Sequence, residues 1–438
     1  MAFDFQGDYR KKLVSAEQAV SLLPKRGNLC LGLAANGPPA LSAALAERVR
    51  SGEIESLHVH YQVAAGPVAP LFDLELTDRL HLHPNFLTDL DRKLMKEAGT
   101  ASVIDHNPCY LHQLPRTYTE YIHMHAFMIT VSPMDRHGYF SLGTSNDYAS
   151  AVARDCDLLL LEVNEQMPRV FGDNQVHISR AAAIVENHQP LIELLDRPMT
   201  PLDEIIGRRI AEMVPDRATL QLGIGGIPNA CAKFMTGHKD LGVHTEMLTN
   251  GILDLYESGA LTNQYKNLHR FKTVFTLCWG SRKLYDFIDD NPCVESYPAN
   301  HINDPCVIAA NDRVVSINSV IEMDLFGQVN SEFVGGREFS GVGGQRDFIS
   351  GAFRSNGGLS FLAFYSTAKG GTVSKIVPRI EGLLSETRME PMWIVTEHGM
   401  CNLRGKSMSE RALAMIELAD PRFREELLRA AKAMNIVK

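Results

Sequence analysis

Apolar residues in this chain fall into short unbroken runs, and stretches of helical period separate them. Residues 28–34, NLCLGLA, read as a buried strand. The turn Asn36-Gly37-Pro38-Pro39 follows, and then an Ala-rich helix, ALSAALAERVRSG. IESLHVHYQVA begins the next strand, and CDLLLLEVN is another, bounded by Asp155 and Asn164. Ahead of these, Ser15 and Gln18 have capping-box spacing before AVSLL, which predicts a helix ended at Pro24–Gly27. Strands that are apolar on both faces, alternating with helices, predict an α/β fold with a largely parallel sheet.

Residues 187–201 break the alternation with a polar, Pro-containing stretch that ends in Thr200-Pro201, an N-cap followed by proline in the first turn. A helix over 201–213 and the strand ATLQLG restart it. The chain therefore reads as two α/β domains, 1–195 and 196–438. A charged helix after Ser407, interrupted at Asp420-Pro421, ends the second. Both halves hold a strand, a Gly/Pro turn and an Ala-rich helix, at 29–48 and 217–236, which suggests related domains. A length of 438 residues at 45% hydrophobic content also suits two cores better than one.

A net charge of −9 disfavours nucleic acid as a partner, although a local basic cleft could still hold a small anion. Eight cysteines without a C-x-x-C pair read as reduced thiols. The charged run MAFDFQGDYRKKL lacks the apolar core of a signal peptide, and no apolar run reaches the ~18–20 residues of a membrane span. A cytoplasmic protein with no membrane association is expected.

Five segments could carry chemistry. GIGGIPNA, with Gly223, Ile224, Gly225, Gly226 and Ile227, joins a strand to a helix and could present backbone N–H groups to an anion, or it is simply a tight turn. Glu246, in HTEMLTNGILDLYESGA, reads either as an acid complementing a helix start or as a nucleophile, since a carboxylate ionised at neutral pH needs no general base. GREFSGVGGQRDF could be a surface loop, or could supply an oxyanion donor of the kind worth ~3–4 kcal/mol. STAKGGTVSKIVP places Lys369 and Lys375 around Gly370-Gly371, as a solvated hairpin would. VTEHGMCNLRGKS carries Arg404 and Lys406 in what could be a strand-to-helix connection. Three H-x-H pairs, His58/His60, His81/His83 and His123/His125, could each chelate a metal from one strand face, which keeps a metallohydrolase in view. No H-E-x-x-H or cysteine cluster accompanies them, so no metal is expected in the reaction.

Taken in order, GIGGIPNA, HTEMLTNGILDLYESGALTN, INDP, INSVIEMDLFGQVNSE, SGVGGQRDFISGA, STAKGGTVSKIVP and VTEHGMCNLRGKSMSERA resemble the acetyl-CoA hydrolase/transferase family of class I CoA-transferases. The 4-hydroxybutyrate CoA-transferase branch is nearest, and EVNEQMPRVFGDNQVHIS fits it in the first half. The resemblance implies two similar open α/β domains with the active site between them, and a homo-oligomer, dimer or tetramer. It implies that Glu246 forms a glutamyl-CoA thioester in a ping-pong cycle and that Asn303 polarises the thioester carbonyl. Gly223 through Ile227, Gly344 and Lys369 would contact coenzyme A, which is a substrate; no permanently bound cofactor is implied. The partners are then an acyl-CoA, such as succinyl-CoA or acetyl-CoA, and a small carboxylic acid. The chain departs from the pattern at Gly37-Pro38, where G-E is usual, and at His398, where tyrosine is common. The turn GLAANGPPAL looks more like itaconate CoA-transferases, and Arg136, His137 or Arg169 could meet the distal carboxylate of such an acceptor.

Overall fold

A computed structural model describes residues 4–438; the first three residues of the charged N-terminal run lie outside it. The chain forms two compact units. The first comprises residues up to Leu195 together with Val274–Ile302, and the second Asp196–Thr273 and Asn303–Lys438. The chain leaves the first unit at residue 195 and later returns to it. Backbone hydrogen bonds explain the return: Cys278 N–H donates to Thr144 O at 2.7 Å, Asn146 N–H to Thr276 O at 2.8 Å, and Ala299 N–H to Asp147 O at 2.7 Å.

The first unit is built on a six-stranded parallel sheet. Its strands are β1 (Arg26–Leu31), β2 (Ser56–Tyr61), β3 (Leu80–Pro84), β4 (Ala126–Val131), β5 (Leu158–Val163) and β6 (Ala181–Glu186). They lie in the order β3-β2-β1-β4-β5-β6, so the chain winds one way from β1 and then crosses to its other side. Alternate residues feed two cores. Leu29, Leu31 and Val59 pack with Leu41, Leu45 and Val49 of helix α2 (Pro39–Arg50), which follows α1 (Ala16–Ser21). Cys30, Phe127, Ile129 and Leu161 pack with Tyr118 and Tyr148 on the other face. Burial on both faces is why CDLLLLEVN carries no polar alternation.

Glu162 is the polar residue in that run. Helix α2 begins after Pro38 without a side-chain cap. The fully buried Glu162 carboxylate supplies one from across the sheet, accepting from Ala40 N–H at 3.2 Å, Leu41 N–H at 2.9 Å and Asn187 Nδ2 at 2.6 Å.

The second unit repeats the plan. Its strands β7 (Thr219–Leu222), β8 (Gly242–Leu248), β9 (Val314–Ser319), β10 (Leu359–Ala363), β11 (Trp393–Thr396) and β12 (Gly399–Asn402) lie in the order β12-β11-β10-β9-β7-β8. All are parallel except β12, which turns back on β11. Helix α3 (Pro201–Ala211) opens with the Thr200–Asp203 capping box, and α4 (Gly226–Phe234) follows β7. Helix α5 (Gln345–Arg354) precedes β10. The C-terminal helical run is split into α6 (Met408–Leu418) and α7 (Pro421–Ala433), with Asp420 capping the latter. Among the described residues no helix is long and apolar enough to cross a membrane.

Candidate active site

In open parallel sheets, ligands meet the chain at the carboxyl ends of the strands, where the winding direction reverses. In the second unit that reversal is at β7, which lies between β8 and β9. The GIGGIPNA loop leaves the end of β7. Register pairs Thr219 with Gly242 and Leu220 with Val243, so Glu246 stands near the matching end of β8. Glu246 is therefore a strand residue rather than the helix-start acid of the structural reading; the next helical turn begins only at Gly251.

Two segments converge on Glu246. Asn303, fully buried, donates from Nδ2 to Glu246 Oε2 at 2.7 Å. The backbone N–H of Gly344 also donates to the carboxylate. Gly344 sits so close that a Cβ there would lie 1.8 Å from Glu246 Oε2 and 2.0 Å from Asn303 Nδ2, so no larger residue fits without moving both. The loop GREFSGVGGQRDF is thus no loose surface segment at this end: Gly344 caps α5 and is packed against the carboxylate.

Burial pushes the Glu246 carboxyl up to about 7. The Asn303 and Gly344 hydrogen bonds oppose that rise, and the nearby charge of Asp347 adds to it. A fully ionised carboxylate at neutral pH, as expected from its ordinary range, is corrected to one near its midpoint, because this half-buried strand end has lost part of its water.

The first turn of α5 is anchored from behind. Arg346 donates to Glu390 Oε1 at 2.9 Å and lies 3.6 Å from Glu386 Oε2. Glu386 is fully buried, and desolvation, with Glu390, Asp347 and Glu332 nearby, pushes it up to about 9 against the pull of Arg346. Arg346 thus faces two acidic neighbours, the buried Glu386 and Glu390. Sequence reading passed over this group. Its only signal was the charged pair Arg346-Asp347 directly after the glycines.

The remaining expected residues distribute as follows. Gly223 N–H is tied to Ile317 O at 2.8 Å, while Ile224 is exposed and Gly225, at φ +112°, has open space where a side chain would project. Gly226 opens α4 and Ile227 is buried beneath it. Lys369 lies in the exposed turn of a hairpin formed by Thr367–Ala368 and Val373–Ser374, and its ammonium makes no ion pair among the described residues. Lys375, by contrast, is half-buried. It donates to Val320 O at 3.1 Å, and burial lowers it to about 8. Glu397, of VTEHG, accepts from Ser366 N–H at 2.9 Å and Oγ at 2.6 Å, which ties this hairpin to the end of β11. In the first unit Arg169 is committed to Asp135 Oδ2 at 2.9 Å, whereas Arg136, among the described residues, reaches only His137, at 3.0 Å.

The chain matches the acetyl-CoA hydrolase/transferase N-terminal domain over residues 2–196 and its C-terminal domain over residues 280–431. It is 39% identical over 427 residues to 4-hydroxybutyrate coenzyme A transferase of Clostridium kluyveri, covering 97% of this chain and 98% of that one. It is 38% identical over 433 residues to succinyl-CoA:cyclohexane-1-carboxylate CoA transferase of Geobacter metallireducens, covering 98% and 97%. The crystal structure of RipA from Yersinia pestis superposes with a TM-score of 0.97 at 44% identity, covering 99% of this chain and 100% of that one.

Proposed function

This chain belongs to the acetyl-CoA hydrolase/transferase family, and from that premise we propose that it is a CoA-transferase whose Glu246 carries CoA between an acyl-CoA and a free short-chain carboxylate. The observation that carries this reading is the pairing of one desolvated carboxylate with two fixed donors, Asn303 Nδ2 and Gly344 N–H.

A carboxylate withdrawn from water is a stronger nucleophile than a solvated one. A Glu246 oxygen attacks the thioester carbonyl carbon, the C–S bond breaks, and CoA leaves as thiolate from an acyl-glutamyl anhydride. The thiolate then attacks the glutamyl carbonyl, giving the glutamyl-CoA thioester and releasing the donor acid. The acceptor carboxylate runs the same two steps in reverse. Thioester energy is conserved throughout, so no nucleotide is consumed. In the tetrahedral intermediates formed at the glutamyl carbonyl, negative charge collects on the Glu246 oxygen that Asn303 and Gly344 already serve. The open backbone at Gly225 and the Lys369 ammonium, without an ion pair among the described residues, support contacts to CoA, which is bound as substrate and not as a resident cofactor. A homo-oligomer, dimer or tetramer, belongs to the same reading and is checked by light scattering.

The acceptor is a small carboxylate. Itaconate rests on the GLAANGPPAL turn and on a cation for its distal carboxylate. The Asp135–Arg169 pair occupies one such cation, leaving Arg136 and His137. Acceptors of the 4-hydroxybutyrate and butyrate class need no such partner and stand as the competing reading. Incubation with acyl-CoA alone, borohydride reduction and peptide mapping tests the chemistry. Modification is expected at Glu246, and reduction at another carboxylate overturns the assignment. In the same preparation, free thiol released at equal rates with and without an acceptor acid would mark a hydrolase instead.

A further inference from the structure

The sequence offered three H-x-H pairs, and the transfer chemistry uses none of them. Two of the pairs prove to be neighbours. Strands β2 and β3 are in register, with His58 beside His81 and His60 beside His83. Registered positions in parallel strands share a face, so four imidazoles form two rows on one side of the sheet. The rings interleave, with centroids 4.8 Å apart for His58 and His81, 5.1 Å for His58 and His83, and 4.9 Å for His60 and His83.

We propose that His58 and His83 are the primary ligands of a binding site for a divalent transition-metal ion of the zinc, nickel or copper class. His58 Nδ1 and His83 Nε2 are 2.9 Å apart. Two nitrogens bound to one ion at ~2.0–2.1 Å lie roughly 2.9–3.4 Å apart, from a right-angled to a tetrahedral arrangement. The other ring nitrogen of His83, Nδ1, faces Asp105 Oδ2 at 3.6 Å. A carboxylate behind a ligating imidazole is the usual means of fixing its tautomer and raising its basicity. His60, stacked on His83 at 15°, has a buried Nδ1 with no hydrogen-bond partner among the described residues, a polar atom that an ordered water or ion nearby would satisfy. His58 reaches the surface, which gives the ion a way in.

The chemistry of the donors selects the ion. Imidazole suits zinc, copper and nickel, whereas calcium and magnesium require oxygen ligands. Among the described residues no three His, Cys, Asp or Glu side chains already converge on one point. The ion therefore completes its shell with water, or with His81 after a ring rotation; Ser56 Oγ now holds that ring at 3.1 Å. Such a site is open and exchangeable rather than structural.

A simple hydrogen bond between two neutral imidazoles would give the same 2.9 Å contact, and the test separates the two. Untagged, chelator-stripped protein is titrated with Zn²⁺ and with Ni²⁺ by equilibrium dialysis. One ion per chain is expected, with affinity reduced tenfold or more in His58→Gln and His83→Gln, less in Asp105→Asn, and unchanged in His188→Gln, which lies outside the cluster. X-ray absorption of the nickel-loaded wild-type chain should show at least two imidazole nitrogens, a reading that does not depend on how the variants fold. The absence of a stoichiometric ion, an ion retained by both His58→Gln and His83→Gln, or a shell without imidazole overturns the site.

Discussion

Replacing Asn303 with alanine isolates one of the two donors that hold Glu246. The lost bond, 2.7 Å from Nδ2 to Oε2, favours the ionised carboxylate. A hydrogen bond to a charged acceptor contributes ~1.5–3 kcal/mol, which at ~1.4 kcal/mol per unit is about one to two units of pKa. From a starting point of about 7, the midpoint should rise to roughly 8–9. Half the carboxylate is ionised at neutrality in the wild type, against roughly 1–10% in the variant, so neutral-pH turnover should fall about five- to fiftyfold from ionisation alone. The sign is fixed by chemistry: the ionised form attacks, so kcat/KM rises with pH through the midpoint and levels off above it. The assay is kcat/KM for acyl-CoA from mildly acid to alkaline pH. In Asn303→Ala the ionisation deficit should recover in base, leaving a residual ~10²–10³-fold deficit from the lost oxyanion donor. An unchanged midpoint, or one moved toward acid, would refute the coupling of Asn303 to Glu246.

Glu246→Gln should abolish turnover yet stabilise the fold in base. The raised carboxyl favours the folded state fully below its unfolded value of 4.5, and that advantage disappears as pH rises through about 7. The variant should therefore gain roughly 2–3 kcal/mol at alkaline pH, read as a Tm difference that closes in acid. Gly344→Ala must displace both Glu246 and Asn303 to fit a Cβ 1.8 Å from Oε2; a loss of at least ~10²-fold in kcat is expected, and full activity would show that the close approach is not needed. His60, pushed down to about 3 by burial and its neighbouring rings, contributes stability above its unfolded value of 6.5 that is lost as pH falls toward 3. His60→Gln should flatten acid unfolding by roughly 1–2 kcal/mol near pH 5 in urea titrations. Chelator treatment should leave the transfer rate unchanged, because no step of the cycle uses a metal; loss of turnover restored by an added transition metal would bring back metal-assisted hydrolysis.

Local rules carried the strands and caps. CDLLLLEVN, the Ser15–Gln18 box and the Thr200 N-cap followed by Pro201 each depend on residues a few positions apart, and all appear as expected. What escaped depends on long-range contact. Nothing near Val274–Ile302 announces a partner at residues 144–147, because that pairing is set by sheet position and not by composition. Glu246 was legible as a candidate nucleophile, but whether it sat at a helix start or on a strand was not, since an acid before an amphipathic stretch fits either. Gly344 was expected at the site as a contact to coenzyme A, but its packing against Glu246 was not legible; its φ of −100° is ordinary and the constraint is that contact. The two H-x-H pairs are 23 residues apart in chain position, His58 to His81, and only the β2–β3 register brings them side by side.

The cap that Glu162 provides for helix α2 has a consequence in time. Leu41 and Glu162 are 121 positions apart, and a ribosome adds ~5–20 residues per second. Helix α2 therefore leaves the ribosome roughly 6–24 seconds before the carboxylate that completes its first turn. Twelve residues make a marginal helix in water, so through that interval α2 offers an apolar stripe with no sheet to cover it. The delay continues beyond β5, because the first unit closes only when Val274–Ile302 arrive, after β7 and β8 of the second unit have been made. Vectorial synthesis cannot finish one unit before starting the next, and nascent chains stalled between residues 195 and 302 should be the protease-sensitive and chaperone-bound ones.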